Sequence, residues 1–190
     1  MRVAFLGGSF NPFHHGHMEV VDCVHSTMDY DQILLIPSFL PVHKSPDLKT
    51  PPSHRLGMTR AAAATRPFLK VEDCELQRQG PSYTIDTIRE LKEKYHFEGK
   101  LGMIIGDDLL GQLESWKSID KLLEKVDLLV AKRVDDEIIS SDFPFVSIPN
   151  GRVRISSSEI RNRVQKGEHI KQYVPAPVAE YIGTFELYRN

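Results

Sequence analysis

A doubly wound α/β fold is predicted, with a mostly parallel sheet of five or six strands and helices on both faces. Three observations predict it. Short continuous apolar runs at 32–36, 101–105 and 127–131 have the pattern of parallel strands covered on both faces. Segments with helical apolar spacing alternate with these runs. The first apolar run passes through two glycines straight into a helix, the strand–loop–helix unit of such sheets.

Each element follows from its local pattern. Residues 1–6 alternate and then run apolar, as a buried strand does, and Gly7, Gly8, Ser9 and Asn11-Pro12 read as a turn. Met18, Val21, Val24 and Met28 then return at helical spacing. The strand at 32–36 ends at Pro37 and opens a proline-rich loop to Pro52. Loops this long within a compact fold are usually functional or disordered. Ser53 is expected to cap a helix through Arg55, Leu56, Met58 and the alanines at 61–64. Residues 68–71 read as a third strand. A helix over 82–95 turns Ile85, Ile88, Leu91 and Tyr95 inward, with Glu90 and Lys94 as an i,i+4 pair. The strands at 101–105 and 127–131 are separated by a short helical region at 109–113 and a helix at 119–125. Residues 143–147 make a poorer edge strand because of Pro144. Ser156-Ser157-Ser158-Glu159 fits a capping box opening a helix to Gly167, and a closing helix starts at Pro175.

The front unit reads as a place to hold phosphate. Amides in the first turn of a helix lack intrahelical partners, and the helix dipole favours an anion there. Gly7 and Gly8 lack a β-carbon, so the backbone can approach a phosphate closely and take unusual dihedrals. His14 and His17 can place imidazole donors on one side of the first turn, against charge developing on a phosphoryl group. A second candidate is the helix start at 155–161, with free amides, the hydroxyls of Ser156 and Ser158, and the planar fork of Arg161. By itself that segment reads more readily as a plain capping box.

Composition narrows the classes. The chain has 190 residues, expected to form one domain, 1–190. Its net charge of −2, without long runs of one sign, disfavours nucleic-acid and membrane-surface partners. No apolar run reaches the length of a membrane span, and the first residues lack the h-region of a secretory signal. A cytoplasmic location is expected, with Cys23 and Cys74 as free thiols. Neither the dinucleotide fingerprint nor the P-loop follows the first strand, which disfavours a dehydrogenase.

The front stretch Gly-Gly-Ser-Phe-Asn-Pro-x-His-x-Gly-His, ending in His14-His15-Gly16-His17, resembles the leading motif of the nucleotidyltransferase superfamily. Ile155-Ser-Ser-Ser-Glu-Ile-Arg161 resembles that superfamily's second motif, which implies a grip on the outer phosphates of ATP. Three further segments are similar to one branch, the nicotinate-mononucleotide adenylyltransferases. They are Pro37 and Pro41 ahead of His43-Lys44, Ser82-Tyr83-Thr84-Ile85-Asp86-Thr87, and Gly106-x-Asp108. The resemblance runs from residue 3 to about 183. It implies that Gly7, Gly8, Ser9, Phe10, His14, His17, Gly106, Asp108, Arg133, Ser156, Ser158 and Arg161 serve ATP. It implies that Ser9, His43, Lys44, Tyr83, Thr84, Asp86 and Trp116 serve nicotinate mononucleotide, with Trp116 able to stack on the pyridine ring. Position 11 departs from the pattern, since Asn11 stands where many relatives have Asp.

The implied reaction joins ATP and nicotinate mononucleotide into nicotinate adenine dinucleotide and pyrophosphate, a step of NAD biosynthesis. His14, His17, Lys44 and Arg161 are the residues expected to act on the phosphates, His17 foremost. Mg²⁺ is expected to arrive with ATP, because no carboxylate cage is visible. A nicotinamide-mononucleotide or pantetheine-phosphate adenylyltransferase, or a nucleotide-binding regulator without catalysis, remains an alternative. The sequence leaves open whether the chain forms a homo-oligomer.

Overall fold

The computed structural model describes residues 1–42, 50–132, 141–151 and 155–189. The chain opens with β1 (Val3–Gly8), α1 (His15–Thr27), β2 (Gln32–Pro37), β3 (Leu40–Pro41) and α2 (Pro52–Ala63). It continues with β4 (Leu69–Val71), α3 (Cys74–Arg78), β5 (Pro81–Ser82), α4 (Thr84–Lys94) and β6 (Leu101–Gly106). A 3-10 segment (Asp107–Ser115), α5 (Ile119–Leu123), β7 (Val126–Ala131), β8 (Val146–Ile148), α6 (Ser157–Gln165) and α7 (Ala176–Thr184) complete it.

Six strands form one sheet in the order β4-β2-β1-β6-β7-β8, and every neighbouring pair is parallel. The doubly wound expectation is met, and the order reverses between β1 and β6. Side-chain alternation gives each strand two buried faces. Ala4, Leu6, Ile33, Leu35 and Ile104 pack under α1, α2, α6 and α7 through Val21, Met58, Ile160 and Val178. Val3, Phe5, Leu34, Ile36, Met103 and Ile105 face Ile85, Ile88 and Leu91 of α4 and Leu122 of α5. Among the described residues no helix is long and apolar enough to cross a membrane.

Gly102 is packed rather than flexible. It pairs with Ala4 across β1 and β6, and a Cβ built there would lie 2.7 Å from the Tyr30 ring and 2.9 Å from the Ala4 Cβ. Gly102→Ala is expected to cost about 1–3 kcal/mol through overpacking. Urea denaturation checks it, and an unchanged midpoint would contradict this packing.

Several local expectations are corrected. α2 is opened by Pro51 and Pro52, and exposed Ser53 does not cap it. The i,i+4 pair is split by tertiary partners. Glu90 accepts from Arg78 Nη1 at 2.5 Å, while Lys94 Nζ reaches Glu72 at 2.7 Å. The edge strand begins at Val146, beyond Pro144. The short helix α3 and the two-stranded β3–β5 pairing carry too few residues for a periodic signal. Both cysteines are free thiols, as expected, and burial pushes Cys74 up to about 12, so it stays protonated at neutral pH.

Candidate active site

The loop after β1 and the segment after β6 flank the reversal in strand order, where open α/β sheets bind ligands. The left-handed backbone in the first loop falls on Phe10, at φ 45°, and not on Gly7 or Gly8. The expected unusual glycine dihedrals are therefore corrected. Packing holds Phe10, whose ring lies 5.4 Å from Phe13 and 5.2 Å edge-on to His17. Gly7 keeps the other expected role, whereas Gly8 backs onto the Phe10 ring, 3.0 Å from a Cβ built there. A Cβ on Gly7 would meet nothing within 4 Å, so this backbone borders open space that a ligand can approach.

The Asn11–Pro12 peptide is cis, and Asn11 is buried. Its Oδ1 accepts from the Tyr188 hydroxyl at 2.7 Å. Its side chain thus joins the turn to the C-terminal segment through an acceptor that asparagine and aspartate share.

His14 is the N-cap of α1 in extended conformation, and His17 is the third helical residue. The His14 amide donates to His17 Nδ1 at 3.2 Å. A neutral His17 ring then carries its proton on Nε2, so its far edge is a donor. The two imidazoles stack, with centroids 3.7 Å apart and planes 25° off parallel. The sequence expectation of paired rings on one side of the first turn is met by this stack. His14 is buried and His17 half-buried.

The second phosphate candidate packs against the first. Arg161 Nη1 donates to the Asn11 carbonyl at 2.8 Å, and Nη2 donates to Ser158 Oγ at 3.1 Å. Ser157 Oγ donates to the Pro12 carbonyl at 2.9 Å. Ser156 caps α6 by accepting from the Glu159 amide at 3.2 Å. The Glu159 carboxylate does not complete a capping box but takes the Arg163 guanidinium at 3.0 Å. Two motifs some 150 residues apart therefore form one surface. Ser157 was missed in the sequence, because nothing local distinguishes the three serines.

Gly106 ends β6 and caps the 3-10 segment, putting Asp107 and exposed Asp108 in its first turn, beside the crevice. Arg133 lies outside the described residues, as do His43 and Lys44. Among the described residues no group of three or more His, Cys, Asp or Glu could hold a metal ion.

On the opposite side of the crevice, an open cleft of about 590 Å³ is lined by Val42, Tyr83, Ser115 and Lys117. Tyr83 is the N-cap of α4, with Thr84 as its first residue and Asp86 in its first turn. Lys117 Nζ lies 4.5 Å over the Tyr83 ring and 2.8 Å from Asp86 Oδ2. Lys117 was not singled out in the sequence. Its position beside Trp116 was the available signal. Trp116 itself is only 8% exposed and packs with the α4 face of the core. Tyr83, Thr84 and Asp86 are brought together, while Trp116 is mainly a core residue with its two neighbours on the cleft.

A small buried network supports this helix start. Thr87 donates to Glu75 at 2.7 Å, Arg78 donates to Thr87 at 3.0 Å, and the Ser82 hydroxyl also bonds Glu75. Burial raises the Glu75 pKa, while its hydrogen bonds to Thr87 and Ser82 pull the other way.

The chain is similar to known proteins over nearly its whole length. A cytidylyltransferase-like family model matches residues 5–163. A protein of Borreliella burgdorferi named a probable nicotinate-nucleotide adenylyltransferase is 37% identical over 188 residues, covering 99% of this chain and 97% of that protein. One from Treponema pallidum with the same name is 35% identical over 204 residues, with both chains fully covered. Among solved structures, Plasmodium falciparum nicotinic acid mononucleotide adenylyltransferase complexed with NaAD superposes with a TM-score of 0.77. It is 23% identical, covering 98% of this chain and 97% of that one, which shows a shared fold. The chain belongs to the nicotinate-nucleotide adenylyltransferase family, within the cytidylyltransferase-like group.

Proposed function

We propose that this chain transfers the adenylyl group of ATP to the phosphate of nicotinate mononucleotide, as a cytoplasmic enzyme of NAD biosynthesis. The observation that carries the reading is the joining of the two phosphate elements. Arg161 and Ser157 hold the carbonyls of Asn11 and Pro12, one turn ahead of the stacked His14–His17 pair. A triphosphate laid across that junction meets the His17 Nε2–H and the α6 N-terminus together, while at the start of α1 the His15 amide is already given to the Tyr173 carbonyl at 2.9 Å.

The attacking group is an oxygen of the mononucleotide phosphate, largely dianionic at neutral pH because its second pKa is about 6. It bonds to the α-phosphorus while the bond from that phosphorus to the bridging oxygen breaks, and pyrophosphate leaves with the electron pair. No proton has to be removed from the nucleophile. Alignment and stabilisation of the transferring group are what the protein supplies. Lys44 and His43 are proposed to reach the phosphates from the loop, and Asp108, Gly106 and Arg133 the adenosine end. Mg²⁺ is proposed to enter as the ATP complex, held by phosphate oxygens and water.

The pyridine ring is assigned to the Tyr83 cleft. The open end of the α4 N-terminus favours a carboxylate over a carboxamide, beside a Lys117 ammonium that Asp86 Oδ2 holds at 2.8 Å. Charge-assisted hydrogen bonds contribute about 1.5–3 kcal/mol each, so kcat/KM for nicotinate mononucleotide is expected to exceed that for nicotinamide mononucleotide about 10- to 100-fold. Pyrophosphate release with each substrate measures it. Preference for the amide would overturn this assignment.

A further inference from the structure

Arg55, on α2, is 5% exposed and carries its guanidinium into the space between the two substrate loops. Nη1 donates to the Ser9 carbonyl at 2.9 Å and to the Ser38 carbonyl at 2.6 Å, and Nη2 donates to the Phe39 carbonyl at 3.4 Å. All three acceptors are neutral backbone oxygens. Ser9 belongs to the loop that follows β1. Ser38 and Phe39 are the stem of the loop that follows β2 and carries His43-Lys44.

The stem is held from its other sides as well. The Ser38 amide donates to the Gly8 carbonyl at 2.9 Å, and the Phe39 amide donates to Ser82 Oγ at 3.0 Å. Leu40–Pro41 then pairs with Pro81–Ser82, directly ahead of the Tyr83 cleft. One guanidinium nitrogen, Nη1, thus joins the ATP-side loop to the mononucleotide-side stem, Nη2 adds a second hold on that stem at Phe39, and the stem is fastened to the nicotinate side by Ser82. A buried arginine is a costly way to satisfy three carbonyls unless their relative position matters.

We propose that Arg55 is a positioning residue, setting the separation of the two reacting phosphates by holding the Ser9 and Ser38–Phe39 carbonyls in one register. This rests on the adenylyl-transfer reading above. Arg55 touches neither substrate in this role. A lysine would keep the charge but loses the second nitrogen that holds Phe39, the fixed guanidinium plane that aims Nη1 at both carbonyls, and about 1 Å of reach.

Arg55→Lys therefore separates geometry from charge. Misplacing reacting groups by about 1 Å costs on the order of 100-fold in rate. Steady-state kinetics of the purified variant should show kcat about 10- to 100-fold lower, with KM for each substrate within about threefold of wild type. A merely structural role would lower the melting temperature and leave the kcat of the folded fraction unchanged. Pyrophosphate release by the wild type with ATP and nicotinate mononucleotide is measured alongside. Turnover by wild type with R55K within twofold of it overturns the Arg55 assignment alone. No turnover by wild type overturns the adenylyl-transfer reading and this assignment with it. Should R55K fail to fold, Ser82→Ala releases the opposite side of the same stem with Arg55 in place. That variant should show the same fall in kcat at unchanged KM for ATP, and a kcat within twofold of wild type overturns the proposal.

Discussion

His17→Ala is expected to lower kcat by about 10²- to 10³-fold, the effect of deleting one well-placed donor to a transition-state oxyanion. The argument rests on the ring's orientation. With Nδ1 accepting from the His14 amide, a neutral imidazole presents Nε2–H away from the helix backbone. The substitution also removes an acceptor from the α1 start, at about 1 kcal/mol, so most of the protein should stay folded at 25 °C. Single-turnover formation of the dinucleotide, with a melting curve on the same sample, separates the two effects. A kcat within threefold of wild type would remove His17 from the mechanism.

Arg161→Ala is expected to act mainly on ATP. Its fork already spans the front loop and the α6 start, donating to Asn11 O and Ser158 Oγ. A phosphate there would take up bidentate, charge-assisted bonds. Losing two such bonds at about 1.5–3 kcal/mol each predicts a fall of about 10²- to 10⁴-fold in kcat/KM for ATP. Arg161→Lys should recover only part, because an ammonium keeps the charge and loses the fork. A kcat/KM for ATP within threefold of wild type in R161A would show that Arg161 serves only to fasten the loop.

Much of the site was legible because its parts are local. The strand, the glycines and the two histidines of the front motif lie within one strand–loop–helix unit, and their spacing already places both rings on the first turn of α1. Arg161 was legible for the same reason, as part of a helix start with serines. Their contact was not legible. That Arg161 and Ser157 hold the carbonyls of Asn11 and Pro12 depends on two helices packing on the same face of the sheet. The ion pairs show the same limit. Glu90 and Lys94 have the right spacing for each other, yet α3 and the end of β4 bring Arg78 and Glu72 closer. Trp116 likewise has the composition of a stacking platform, and its packing puts it largely in the core.

By itself the sequence determined the fold class, the order of most strands and helices, the two candidate phosphate elements and the family resemblance. All of these are carried by short-range pattern: apolar period, turn residues and fixed motif spacing. Only the tertiary structure decided which helix starts meet, where the left-handed residue of the front loop falls, and that Lys117 overlooks Tyr83. It also decided that Arg55 joins the two substrate loops. Those outcomes depend on the packing of segments distant in sequence, where competing burial and hydrogen-bond partners are compared only once the sheet brings them together.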